Sequence, residues 1–196
     1  LCAPLIRVSL NGTKNFKQDL KNLLSSISKK DSELIIKAIE FSMPAGIKNY
    51  KGLGNIFGAN KISFSKMMKI SSEWDRISRC YYSNYEEIFD IGLPNFTTLL
   101  RKTSRKKAIE ILYINFLSTS TDSHLERKFG INKAKIVLKK CFFIEKKLKI
   151  YKDNQNLLRY FDHYLKKFHY NPGTCADLTV TTLLIHKIRD IFKFPL

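Results

Sequence analysis

The sequence predicts an all-α fold: a compact multi-helix bundle in which residues 1–196 form one domain. Three observations lead there. Only eight Gly and five Pro punctuate 196 residues. The apolar content of 44% is enough to bury a real core at this length. Between the breakers, apolar residues recur at steps of three and four, the period of a helix, and not at steps of two.

The elements follow in order. Leu1-Cys2-Ala3-Pro4-Leu5-Ile6 is apolar, without an initiator Met or a helix cap, and reads as the end of a helix whose start is missing. A helix over about Asn15–Ile27 puts Phe16, Leu20, Leu23, Leu24 and Ile27 on one face. A second starts near Asp31, carries Leu34, Ile35, Ala38, Ile39 and Phe41, and ends before Pro44. Pro44–Lys61 holds Gly46, Gly52, Gly54 and Gly58 and reads as a loop. A long helix then spans about Ser63–Phe89, with Phe64, Met67, Met68, Trp74, Tyr81, Tyr85, Ile88 and Phe89 at helical spacing. Asp75 falls between Met68 and Tyr82 at heptad spacing, on a face expected to be buried. Gly92-Leu93-Pro94 breaks the chain. Helices follow at about Ser104–Leu117, Ser123–Phe129 (closed by Gly130), Asn132–Leu148, Asn154–Phe168 and Pro172–Phe192.

The last helix carries the most specific chemistry. Asn171 suits an N-cap and Pro172 the first helical position. Gly173 then leaves first-turn N–H groups open to a phosphate. Asp177 heads a stripe with Val180, Leu184, Ile188 and Ile191, and a carboxylate buried there needs a partner. With Asp75 and Asp122 it makes three candidate acids for catalysis. Arg127 and Lys128, and the Asn171–Gly173–Thr174 turn, are candidate phosphate groups, joined by Arg79 if it accompanies Asp75 inward as an i,i+4 partner. Ser123 is the expected cap of the short helix, with Asp122 at the turn before it. Each residue also has a plain structural use: acids near helix starts act as dipole partners, and surface Arg-Lys pairs are solvated.

Several function classes have no support. No G-x-S-x-G elbow, Walker-type loop or dinucleotide fingerprint is present. Cys2, Cys80, Cys141 and Cys175 lie far apart, without zinc or disulfide spacing, and read as reduced thiols of a cytoplasmic protein. His124, His163, His169 and His186 show no ligand spacing. No apolar run reaches the roughly 20 residues of a membrane helix. The net charge of +18 predicts anionic partners, with lysines dispersed along nearly every helix rather than gathered in one block.

The run Asn171-Pro172-Gly173-Thr174-Cys175-Ala176-Asp177-Leu178 resembles the C-terminal signature of the triphosphoribosyl-dephospho-CoA synthases, in its archaeal-type form. Asp122-Ser123-His124-Leu125-Glu126-Arg127-Lys128-Phe129-Gly130 is similar to the family's D-T-x-x-x-R-x-G element. Asp75-Arg76-Ile77-Ser78-Arg79-Cys80-Tyr81 and Ile91-Gly92-Leu93-Pro94 match upstream elements in the same order. The resemblance implies a transferase that moves the triphosphoribosyl group of ATP to the 2′-hydroxyl of 3′-dephospho-CoA and releases adenine. It implies ATP as substrate, with Mg²⁺ held by Asp177 and Asp75 or one of these acids acting as base. It also implies an earlier Lys-Pro-Gly region, so the chain is expected to be truncated, one part of a split protein, or in need of an oligomeric partner. The glycine-rich loop is then a substrate lid or a plain connector. Two alternatives stand beside it: a non-catalytic basic helical protein that binds nucleic acid, and an inactive subunit or remnant of the same family.

Overall fold

The structure is a computed structural model that describes residues 1–42, 62–150 and 155–193, the side chains of 149 and 150 excepted. Every regular element among the described residues is helical, as the sequence pattern requires. They are α1 (Cys2–Leu10), α2 (Phe16–Ser25), α3 (Lys29–Ser42), α4 (Phe64–Ser71), α5 (Arg76–Tyr82) and a π-helical turn (Glu87–Gly92). Then come α6 (Leu93–Lys102), α7 (Arg105–Thr119), α8 (Ser123–Phe129), α9 (Ile131–Ile150), α10 (Gln155–Lys167) and α11 (Gly173–Phe192). The glycine-rich segment Pro44–Lys61 lies outside the described residues.

The chain divides into two compact units, Leu1–Leu93 with Thr181–Leu196, and Pro94–Val180. In the first, α1 packs on α2, α3 on α4 and α4 on α5. Leu5, Phe16, Leu20, Tyr85 and Ile88 are fully buried there, with Phe16 edge-on to Phe89 at 6.1 Å between centroids. A smaller cluster joins Ile36 of α3 to Phe64, Met67 and Met68 of α4. In the second unit, α9 packs against both α7 and α8. Phe96, Leu112, Leu117, Leu125, Val137 and Leu178 are buried there. Each such side chain contributes roughly 1.5–3 kcal/mol by leaving water.

Local side chains set many helix starts. Asn15 accepts from Gln18 N at 3.1 Å, Ser63 from Lys66 N at 3.3 Å and Ser104 from Lys107 N at 3.4 Å. Ser28 and Asp31 cap reciprocally: Asp31 N donates to Ser28 Oγ at 3.1 Å while Ser28 N donates to Asp31 Oδ2 at 3.0 Å. That bonding starts α3 ahead of the expected Asp31 and draws the Asp31 carboxyl below its ordinary value.

Two expectations are corrected. The long helix over Ser63–Phe89 is three elements, because Asp75 opens a new helix and Asn84 and Tyr85 take left-handed backbone (φ +52° and +64°). Tyr85 holds that costly conformation while fully buried, its hydroxyl donating to Leu1 O at 2.8 Å. The Gly92-Leu93-Pro94 break is the start of α6, with Pro94 in its first turn, where its missing N–H costs nothing.

The approach to α11 is set by the end of α10. His169 takes φ +55°, with Tyr170 N donating to Leu165 O at 2.8 Å and His169 N to Lys166 O at 3.0 Å. This is a Schellman ending, and it turns the chain sharply. Tyr170 then meets Phe129 edge-on at 4.9 Å, tying the turn before α11 to the end of α8.

Candidate functional site: two helix starts on one carboxylate

In the second unit the starts of α8 and α11 meet on Asp122, which is only 1% exposed. Its Oδ1 accepts from His124 N at 2.9 Å and Leu125 N at 3.1 Å, capping α8. Its Oδ2 accepts from Cys175 N at 2.8 Å, in the first turn of α11. Thr174 Oγ1 accepts from His124 N at 3.2 Å, a second tie between the two starts. A buried carboxyl is tolerable only when so satisfied, and here three backbone donors at two helix starts do so.

Around this pin, three side chains and a glycine share one mouth. His124 and Arg127 stand three residues apart on α8, and Gly173 and Asp177 four apart on α11, so each pair occupies one helix face. The His124 ring lies over Gly173. A Cβ at 173 would come within 3.2 Å of His124 Nδ1. Asp177, one turn beyond, is exposed, yet partial loss of hydration raises its carboxyl above the ordinary value. The negative charge of Asp122 adds to the rise, while His124 and Arg127 oppose it. Tyr113 is also near: its phenol is pushed up by burial, then by Cys175 and Asp122.

Four expectations about these residues change. Asp122, not Ser123, caps α8, and its carboxylate stands where a phosphate at the α11 start was expected. Asn171 is exposed and not the cap: α11 begins at Gly173, with Ala176 N donating to Pro172 O at 3.2 Å and Gly173 N to Asn171 O at 2.8 Å. Gly173 makes room for the imidazole of His124 as well as for backbone. Asp177 does not head a buried stripe. The buried positions of α11 are Thr174, Cys175, Leu178, Thr179, Thr181, Thr182, Ile185 and Ile188, while Val180 and Ile191 are exposed. Threonine is polar by type, yet it buries its methyl and bonds inward, as Thr179 Oγ1 does to Cys175 O at 2.8 Å.

Asp75 belongs to the first unit and sits on no helix face. It is the N-cap of α5, accepting from Ser78 N at 3.1 Å and Ser78 Oγ at 2.8 Å. Arg79 is exposed and closes α4, donating through Nε to Ser72 O at 2.9 Å and through Nη2 to Glu73 O at 3.3 Å. Lys128 is exposed, its Nζ 5.2 Å from the centre of the Phe129 ring. No sequence pattern marks the buried Arg76, 2% exposed and paired with Glu87 of the π-helical turn. Nor does one show that His124 faces Asp177: histidine at that position signals nothing until α8 and α11 are set side by side.

Both oxygens of Asp122 already accept backbone bonds, and among the described residues no group of three or more His, Cys, Asp or Glu side chains could hold a metal ion. All four cysteines are free thiols; burial pushes those of Cys80 and Cys141 up, away from reactivity. No helix among the described residues is long and apolar enough to cross a membrane.

A basic protein, all helical among the described residues, with an acid, an imidazole and a guanidinium gathered around one buried carboxyl is suited to group transfer between anionic substrates. The family model described as ATP:dephospho-CoA triphosphoribosyl transferase matches residues 1–195, and the chain belongs to that family. The fold is similar to the crystal structure of a proposed triphosphoribosyl-dephospho-CoA synthase from Archaeoglobus fulgidus. That chain is 24% identical, with a TM-score of 0.71, covering 94% of this chain and 77% of that one. No curated protein matches the chain. It is a transferase whose substrates are ATP and dephospho-CoA, and the nucleic-acid reading is not favoured.

Proposed function

We propose that the transfer takes place at the mouth between α8 and α11, with Asp177 as the base for the 2′-hydroxyl of dephospho-CoA. The observation that supports this most is the joint placement of Asp177, His124 and Arg127 around the buried Asp122. A base must be exposed to substrate and ionised in the working pH range, and it accepts a proton more readily the closer its pKa lies to that range. Asp177 is exposed, and its carboxyl is raised toward that range. Arg127 supplies a guanidinium whose planar fork suits the triphosphate. Thr174 and Asp122 position the two helices and leave the substrate to their neighbours. Any Mg²⁺ in the reaction enters as part of the ATP substrate, on its phosphates.

In this mechanism the hydroxyl oxygen forms a bond to the anomeric carbon as the C–N bond to adenine breaks. Asp177, ionised at the outset, faces the positive character that develops at that carbon and takes the hydroxyl proton as the new bond forms. The test is to incubate the chain with ATP and dephospho-CoA and quantify free adenine. The expected result is one adenine per acceptor consumed, with Arg127→Ala raising the KM for ATP. Adenine release that ignores the acceptor, or an Arg127→Ala variant with unchanged KM, would contradict the assignment.

A further inference from the structure

The imidazole of His124 is half-buried at the mouth, and neither ring nitrogen enters a hydrogen bond among the described residues. Its backbone N–H does the capping, bonding to Asp122 and Thr174. The ring is held by shape instead. It rests over the bare Cα of Gly173, where a methyl group would stand 3.2 Å from Nδ1. A polar ring kept in place by a glycine, with both nitrogens uncommitted, is a group available to a ligand. Displacement at an anomeric carbon also puts the entering and leaving groups on opposite sides. Two facing helices, one with Asp177 and the other with His124, can serve both.

We propose that His124 contacts the substrate, donating a hydrogen bond from its imidazole N–H to N7 of the adenine that leaves ATP. This rests on placing the transfer at this mouth. In the step, the C–N bond to adenine breaks and its electron pair goes to the purine, where the donor at N7 stabilises the growing negative charge. The acceptor oxygen forms the new C–O bond, its proton passes to Asp177, and adenine leaves neutral after taking one proton from water. The proton on Asp177 returns to solvent, so charge and atoms balance with no further reactant. A neutral imidazole is sufficient.

The test compares ATP with 7-deazaadenosine triphosphate, which has C–H in place of N7, in the wild type and in His124→Ala. The imidazole carries none of the capping bonds, so the variant is expected to melt near the wild-type temperature. With ATP, His124→Ala should slow adenine release at saturating substrates about a hundredfold, within the range for positioned proton donors, with little change in the KM for dephospho-CoA. With the 7-deaza nucleotide the wild type should already be slow, and His124→Ala should add no further loss. Gly173→Ala keeps the imidazole but displaces it, and should slow ATP turnover while leaving the 7-deaza rate unchanged. An equal loss with both nucleotides, or no loss with ATP, would overturn the proposal. Asp177→Asn separates the two readings: if it is inactive while His124→Ala is not, only the role of His124 fails. If Asp177→Asn turns over normally, the mouth itself is wrongly placed.

Discussion

Asp122 and Asp177 lie one bond network apart and do opposite work. Asp122 is buried, and three backbone N–H groups hold it. Asp122→Ala would leave those donors unpaired at two helix starts, and chemical denaturation should show a loss of about 3 kcal/mol or more. Asp122→Asn should retain part of this, since its amide oxygen can still cap α8 while its NH₂ cannot accept from Cys175. Asp177 is exposed with a raised carboxyl. A carboxyl that binds its proton more tightly when folded stabilises the fold at acid pH, and that contribution falls as pH rises from the unfolded value to the folded one. At neutral pH its ionised form therefore disfavours folding. Melting curves should show Asp177→Asn at least as stable as wild type at pH 7, with the gap closing as pH falls below the ordinary carboxylate value. The sequence made Asp122 legible as an acid at a helix start. It could not show the bond to Cys175, because no local pattern reports a contact across 53 residues.

At the scale of elements, α7 to α11 begin and end within one or two residues of the sequence reading, because caps and breakers flank each one. The long helix over Ser63–Phe89 failed for a physical reason. Its apolar spacing is the same whether the chain runs straight or restarts at Asp75, and an Asp can be a helix residue or a cap. The left-handed pair Asn84–Tyr85 carries no signal, since neither residue is glycine. Gly130 does carry one. It closes α8 at φ +82° and ψ 159°, a region that side chains rarely adopt. Nothing lies within 4 Å of the place where a Cβ would stand, so the cost of Gly130→Ala is conformational alone. It should lower stability by about 1–3 kcal/mol in denaturant titration, without altering substrate affinity.

For the whole molecule, the +18 net charge acts on both substrates, which are polyanions. Raising ionic strength should raise the KM for ATP and for dephospho-CoA while leaving kcat close to its low-salt value, as screening predicts. A kcat that fell together with 1/KM would point instead to a salt-sensitive fold. Composition and helical period made the fold class legible. The position of the mouth was legible only in part: the residues stand in the expected segments, but the acids sort into one cap in each unit and one exposed candidate base.

The most direct measurement is the single-turnover rate of adenine release by Asp177→Asn at saturating ATP and dephospho-CoA, with circular dichroism matching the wild type. Loss of the base should slow it by about a hundredfold or more. A rate within a few-fold of wild type would show that the hydroxyl loses its proton to some other group, and that the paired helix starts only hold the fold together.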